Sequence, residues 1–193
     1  MQAKGKIMTT IYLTRHGETE ENASRILQGL LPTRLSSVGI KQAHALKDKL
    51  ADTKFDAILC SDLIRSEETA KIVALPHRQE PIPTRLIQER DWGSLSGKYV
   101  PDIQGKEFPS DVETVEAMFT RAKRFLEMVV QTYPDKTILV VGHGLMDRVI
   151  MASLEGKTIK DIPPFANTEV RIIHVSTEQI TVPEKHEDTH ADN

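Results

Sequence analysis

The chain has 193 residues, 39% hydrophobic, 27% charged and only 5% aromatic, a length that suits one domain with a sizeable buried core. Its formal net charge of -3 resides in segment 183–193, where Glu184, Glu187, Asp188 and Asp192 face Lys185 alone, so the body 1–182 is neutral. A neutral body excludes broad sequence-independent nucleic-acid binding, which needs a cationic surface, but leaves room for a small cationic pocket.

In chain order, the first apolar run is 7–14 (IMTTIYLT), read as a buried strand. A serine at 36 or 37 can cap a helix to about Leu50, with Val38, Ile40, Ala43, Leu46 and Leu50 supplying much of an apolar stripe. The run 55–60 (FDAILC) predicts a second strand, and 63–75 a second helix. Between Pro76 and Pro109 the chain also carries Pro81, Pro83 and Pro101 and shows no regular period. That stretch reads as a long insertion or lid, the kind of segment that often carries function. Ser110 and Glu113 then have capping-box spacing. Behind them Val115, Met118, Phe119, Ala122, Phe125, Leu126 and Val129 recur at helical spacing until Pro134 stops the run. A strand at 137–141 (TILVV), a helix at 145–154 and a strand at 170–175 (VRIIHV) follow.

Near-continuous apolar runs, rather than strict alternation, point to strands covered on both faces. Their alternation with helices predicts a single α/β domain over 1–182, with a largely parallel sheet and helices on both faces. Segment 183–193 reads as an acidic disordered tail. The one cysteine, Cys60, allows no intrachain disulfide, and no run approaches the ~20 apolar residues of a membrane helix. Residues 1–6 offer no long apolar stretch ahead of a small-residue cleavage site. A cytoplasmic protein with neither nucleic-acid nor membrane partners is expected, with Met8 as an alternative start.

Ligands in open α/β sheets gather at the carboxyl ends of the strands. There the first strand delivers Arg15-His16-Gly17, the second Ser61-Asp62 with Arg65 a helical turn on, and the third Gly142-His143-Gly144. Arginine matches phosphate oxygens bidentately, and imidazole is a nucleophile near neutral pH or, when protonated, a donor to an anionic oxygen. Helix N-termini after the strands add backbone N–H groups. Phosphoryl transfer is mostly positioning and charge stabilisation, so this set suffices without a metal or cofactor.

These residues belong to a longer pattern. Leu13-Thr14-Arg15-His16-Gly17-Glu18-Thr19, Asn22, Gln28-Gly29, the run 35–43 (LSSVGIKQA), the run 61–70 (SDLIRSEETA), the run 89–97 (ERDWGSLSG) and Val141-Gly142-His143-Gly144 occur in order. The chain thereby resembles the histidine phosphatase superfamily, the phosphoglycerate mutase-like proteins. The resemblance implies that His16 takes the phosphoryl group as phosphohistidine, with Arg15, Arg65 and His143 holding its oxygens. Glu89 would protonate the leaving oxygen and then activate the hydrolytic water. Asn22, Gln28, Gly29 and Gly144 would line the phosphate or substrate site. The implied substrate is a small phosphorylated molecule.

Two departures bear on specificity. Pro32-Thr33-Arg34-Leu35 stands where relatives often carry Asp followed by Pro-Leu, and Arg34 thereby becomes a candidate substrate contact. The mutases carry a longer segment after the acid–base block, with basic residues for the substrate carboxylate. Here 98–109 is short, and Arg90 alone retains something of that set. The resemblance therefore favours a phosphatase over a mutase-type isomerase, and Glu89 argues against a non-catalytic phosphate- or phosphopeptide-binding module. Trp92 reads as loop packing or a wall of the substrate mouth, and Cys60 as a buried, inert thiol. His186-Glu187-Asp188-Thr189-His190 matches the H-E-x-x-H zinc pattern, but its polar surroundings offer no buried helix to orient both rings.

Overall fold

The computed structural model describes residues 7–176 and Gln179. Strands β1 (Thr9–Arg15), β2 (Ala57–Ser61), β3 (Ile82–Thr84), β4 (Thr137–Gly142) and β5 (Val170–Val175) make one sheet in the order β3-β2-β4-β1-β5. β1, β4, β2 and β3 run parallel, and β5 lies antiparallel against β1. The described helices are α1 (Glu20–Ala23), α2 (Ser37–Leu50), α3 (Ile64–Ala74), α4 (Val100–Ile103), α5 (Val115–Thr132) and α6 (Gly144–Glu155).

The central strands are apolar at consecutive positions because successive side chains feed different layers. Ile11 and Leu13, Ala57 and Leu59, and Ile138 and Val140 pack with residues of α5 and α6. Ile58, Cys60, Leu139 and Val141 pack on the other face with Leu46 and Leu50 of α2 and Ala70 and Val73 of α3. Each large side chain so buried contributes ~1.5–3 kcal/mol of transfer free energy, which fixes the helices on the faces and leaves the strand ends open for a site. The fold is the single α/β domain that the apolar pattern indicates. Among the described residues no helix is long and apolar enough to cross a membrane.

Local corrections follow from side chains that the patterns do not weigh. The strand at 170–175 is not covered on both faces: it is an antiparallel edge, and Ile172 is 52% exposed. The α5 helix starts at Val115 under a Thr114 cap, whose hydroxyl accepts from the Ala117 N–H at 3.2 Å. Ser110 does not cap it, because the Asp111 carboxylate is engaged by the Ser94 N–H (2.8 Å) and hydroxyl (3.1 Å) and Val112 is buried in a satellite core. The stretch 76–109 is not an irregular insertion. It contains β3, whose Pro83 is tolerated because β3 is an edge, and α4, and it packs Trp92, Val100 and Ile103 against Leu27 and Val112. Segment 183–193, including the H-E-x-x-H match, lies outside the described residues.

Candidate active site

Parallel pairing of β1 with β4 sets Arg15 level with Gly142, so the next residues, His16 and His143, emerge side by side. Their ring centroids are 5.3 Å apart, and both side chains are buried. The His16 N–H donates to the Gly142 carbonyl at 3.1 Å, continuing the ladder by one bond. A carbonyl can only accept, so the 2.6 Å contact between His16 Nδ1 and the Gly17 oxygen places the ring proton on Nδ1. Nε2 therefore carries the lone pair. Arg65 Nε donates to that Nε2 at 3.3 Å. Burial first, then the positive charges of Arg65 and Arg15, hold the His16 pKa well below the usual imidazole value, so the ring is neutral at pH 7.

Arg65 reaches this point from the first turn of α3, and it is 1% exposed. Its Nη1 donates to the Leu31 carbonyl (3.1 Å) and the Thr33 hydroxyl (3.2 Å), and its Nη2 to the Gly29 carbonyl (2.8 Å). Gly29 offers that carbonyl from a φ of +50°, a conformation that side-chain-bearing residues rarely adopt. Burial lowers the Arg65 pKa to about 10, with the nearby Arg15 charge acting in the same direction. It is still cationic at neutral pH. Arg15 Nη1 donates to the Phe165 carbonyl at 2.9 Å, and its Nε has no partner among the described residues. Gly144 makes room for it, since a Cβ there would lie 3.3 Å from the Arg15 guanidinium carbon.

His143 caps α6, and neither ring nitrogen has a partner among the described residues. Burial, followed by the charge of Arg65, depresses its pKa well below the usual value. Its backbone N–H donates to Asp147 Oδ1 at 3.2 Å. Asp147 is fully buried, and desolvation pushes its carboxyl well above the ordinary range, with Glu89 adding to the effect. Gly142 is required beside it, because a Cβ at that position would run into the Asp147 carboxylate.

Glu89 closes the site from the segment before α4. Its Oε2 accepts from the Leu145 N–H at 3.2 Å, in the first turn of α6, and its Oε1 from the Arg90 N–H at 2.9 Å. Arg15, His16, Asn22, Gln28, Gly29, Arg65, Glu89 and Trp92 all line one recess, with His143 against His16 and Gly144 against Arg15. Gln28 ties the loop together, its Oε1 accepting from the Thr19 (2.9 Å) and Thr33 (2.6 Å) hydroxyls. Asn22 Oδ1 accepts from the Thr19 N–H at 3.1 Å.

A family model for the histidine phosphatase superfamily (branch 1) matches residues 11–188. The chain belongs to this superfamily. It is 30% identical over 153 residues to the "Uncharacterized phosphatase PhoE" of Bacillus subtilis (strain 168), covering 77% of this chain and 79% of that one. It is 31% identical over 185 residues to "Phosphoserine phosphatase 1" of Hydrogenobacter thermophilus, covering 87% of each. The solved structure of Bacillus stearothermophilus YhfR superposes with a TM-score of 0.81 at 27% identity, over 94% of this chain and 98% of that one.

Other candidates lie elsewhere in this histidine phosphatase fold. Arg34 turns to the surface and pairs with Glu68 at 2.6 Å. Arg90 is buried, donating from Nε to the Glu113 carbonyl at 2.7 Å, with its guanidinium 4.6 Å from the Trp92 ring and 5.2 Å from Phe108. It braces the satellite core and does not retain a carboxylate site. Cys60 is buried, and its thiol is pushed up to about 12 by desolvation. Among the described residues no group of three or more His, Cys, Asp or Glu side chains could hold a metal.

Sequence reasoning missed three supporting residues. Asn167 Nδ2 donates to the His16 carbonyl at 3.0 Å from beyond Pro164, with no local signal to mark it. Asp147, four residues after His143, has the spacing of a side chain reaching back over a helix start. Arg121 of α5 donates to the Leu86, Gln88 and Glu89 carbonyls at 3.0, 2.8 and 3.2 Å, and to both Glu113 oxygens at 2.6 and 2.9 Å. Periodicity shows its place on α5, not its partners.

Proposed function

We propose that the protein hydrolyses phosphate monoesters through a phosphohistidine on His16. The observation that carries this reading is the fixed tautomer of His16, with its Nδ1 proton held by Gly17 and its lone pair beside the Arg65 guanidinium. A neutral buried imidazole keeps its nucleophilicity at pH 7, and two cations compensate the incoming dianion.

The steps balance as follows. The Arg65 Nε–H exchanges His16 Nε2 for a phosphoryl oxygen, and Arg15, with its free Nε–H, takes another. His143 donates its ring N–H to a third oxygen. Nε2 attacks phosphorus in line with the ester oxygen, forming the N–P bond as the P–O bond breaks. Glu89 gives its proton to the departing alkoxide, which leaves as the alcohol. The ring positive charge created on His16 is offset by the Gly17 carbonyl at Nδ1. Water then loses a proton to Glu89 as its oxygen bonds to phosphorus and the N–P bond breaks, the electron pair returning to Nε2, which releases inorganic phosphate and restores neutral His16.

The test is phosphate release from p-nitrophenyl phosphate, with an alkaline quench to preserve any phosphohistidine. His16→Ala loses roughly 10⁴-fold or more in rate, and the mass increment of a phosphoryl group appears on the wild type alone. A folded His16→Ala protein with near wild-type turnover overturns the assignment. Interconversion of 2- and 3-phosphoglycerate that requires a bisphosphoglycerate primer, with little net phosphate release, would replace hydrolase by mutase.

A further inference from the structure

Beside the histidine recess opens a cavity of about 380 Å³, near the lower end of the ~300–1,000 Å³ range of small-molecule sites. Arg15, Asn22 and Glu89 line both spaces, so an ester reacting at His16 with Glu89 on its leaving oxygen places its alcohol in this cavity. The remaining lining includes Arg25, Arg148, Gln104, Val100 and Phe165. Three arginines thus face the cavity against the single carboxylate of Glu89. Arg148 is fixed in the wall, donating from Nε to the Ile162 carbonyl (2.9 Å) and from Nη2 to the Ile159 carbonyl (2.8 Å).

Arg25 is held differently. Its backbone is anchored while its side chain stays exposed: the N–H donates to the Asn22 carbonyl at 3.1 Å, and the carbonyl accepts from the Val100 N–H at 2.9 Å. The anchorage keeps Arg25 at a φ of +58°, a left-handed conformation uncommon for side-chain-bearing residues. Its guanidinium lies 5.9 Å from the Tyr99 ring. No acidic side chain forms an ion pair with Arg25 among the described residues.

We infer that this cavity selects small phosphate monoesters whose alcohol carries a second anionic group, and that Arg25 is the specificity-determining contact for it. A neutral alcohol would gain nothing from the excess cationic charge around the cavity, whereas a carboxylate or second phosphoryl group matches the guanidinium fork. The inference rests on the phosphatase reading of the same site.

Two substrate pairs of closely similar shape test it. 3-Phosphoglycerate and glycerol 3-phosphate differ by a carboxylate in place of a hydroxymethyl group, and fructose 1,6-bisphosphate and fructose 6-phosphate by a second phosphoryl group. The wild type favours the more anionic member of at least one pair by about tenfold in kcat/KM, and which pair identifies the anion. Arg25→Gln reduces that ratio by about fivefold, while Arg25→Lys, which keeps the charge at the same backbone, retains most of it. Turnover of p-nitrophenyl phosphate with no preference in either pair, or a preference that survives Arg25→Gln, overturns the inference alone. Failure of the wild type to hydrolyse p-nitrophenyl phosphate overturns the phosphatase reading and this inference with it.

Discussion

The two halves of the site are held in place by different means. Arg15, His16 and His143 stand at the ends of β1 and β4, where the strand ladder and a buried core fix their backbones. Glu89 stands on a segment with only short elements, half-buried, and its main chain is fastened largely by one side chain: the Arg121 guanidinium donates to the Leu86, Gln88 and Glu89 carbonyls, to Glu113 and to the Met146 sulfur. Glu113 adds a further tie, its Oε2 accepting from the Asp91 N–H at 3.1 Å. The proposed phosphoryl cradle is thus built into the sheet, while the proposed acid, Glu89, is clipped on. Changes in the cradle should alter chemistry with little shift of the backbone, and changes in the clip should move the acid.

The sharpest way to separate the halves is the leaving group. Glu89→Gln keeps the shape but has no proton to give, and is expected to slow hydrolysis of an alkyl phosphate by roughly 100-fold. p-Nitrophenolate departs with little protonation, so the first step on that ester should suffer much less. Equal losses in kcat/KM on the two substrates, a ratio that reports the first step and leaves out Glu89's later role as base, would remove the acid role. Arg121→Met, which strips the clip, is expected to lower kcat on the alkyl phosphate by about tenfold and to cost about 2 kcal/mol of stability by leaving Glu113 without its partner. The same preference for damage on the poor leaving group marks Arg121 as a positioning residue; a uniform loss would reduce it to scaffold.

The same contrast explains what the sequence discloses. Residues fixed by a strand end lie within a few positions of an apolar run, so Arg15, His16, His143 and Arg65 can be placed from local pattern plus parallel topology. The α5 stripe is legible because Met118, Phe119, Ala122, Phe125 and Leu126 are core residues at helical spacing. Glu89 is different: only the family resemblance directs it to the site, because its orientation depends on Arg121, thirty-two positions away. Ser110 misleads for a related reason. Its spacing to Glu113 matches a cap, yet the Glu113 carboxylate is taken by Arg121 and Asp111 is taken by Ser94. Arg90 misleads as a substrate contact because pairing with Trp92 and Phe108 is a long-range outcome that no window of sequence contains.

Acid pH probes the electrostatics of the cradle, where the two strongly depressed imidazoles lie, and its effect is the smallest. His16 and His143 are kept neutral by burial, with folded values well below the ~6.5 of the unfolded chain. Below about pH 6.5 the unfolded chain takes up protons that these rings refuse, so their contribution to stability declines as pH falls toward the folded values. Asp147 acts in the opposite sense: its folded value is raised, so it stabilises fully below about pH 4 and loses that contribution as pH rises through the folded value. Where the windows overlap, two rings oppose one carboxyl, and these three groups together contribute a slope of up to about 1.4 kcal/mol per pH unit, with stability falling toward acid. His143→Asn removes one proton from the balance and should flatten the dependence of Tm on pH, whereas Asp147→Asn should steepen it. Arg121→Met lowers Tm across the pH range and narrows the His143 window only a little, because the Arg121 charge is the smallest of the causes that hold that ring neutral. A His143→Asn curve parallel to the wild type would show that the cradle does not hold that ring neutral, and the contrast between a buried, desolvated cradle and a clipped-on acid would lose its electrostatic half.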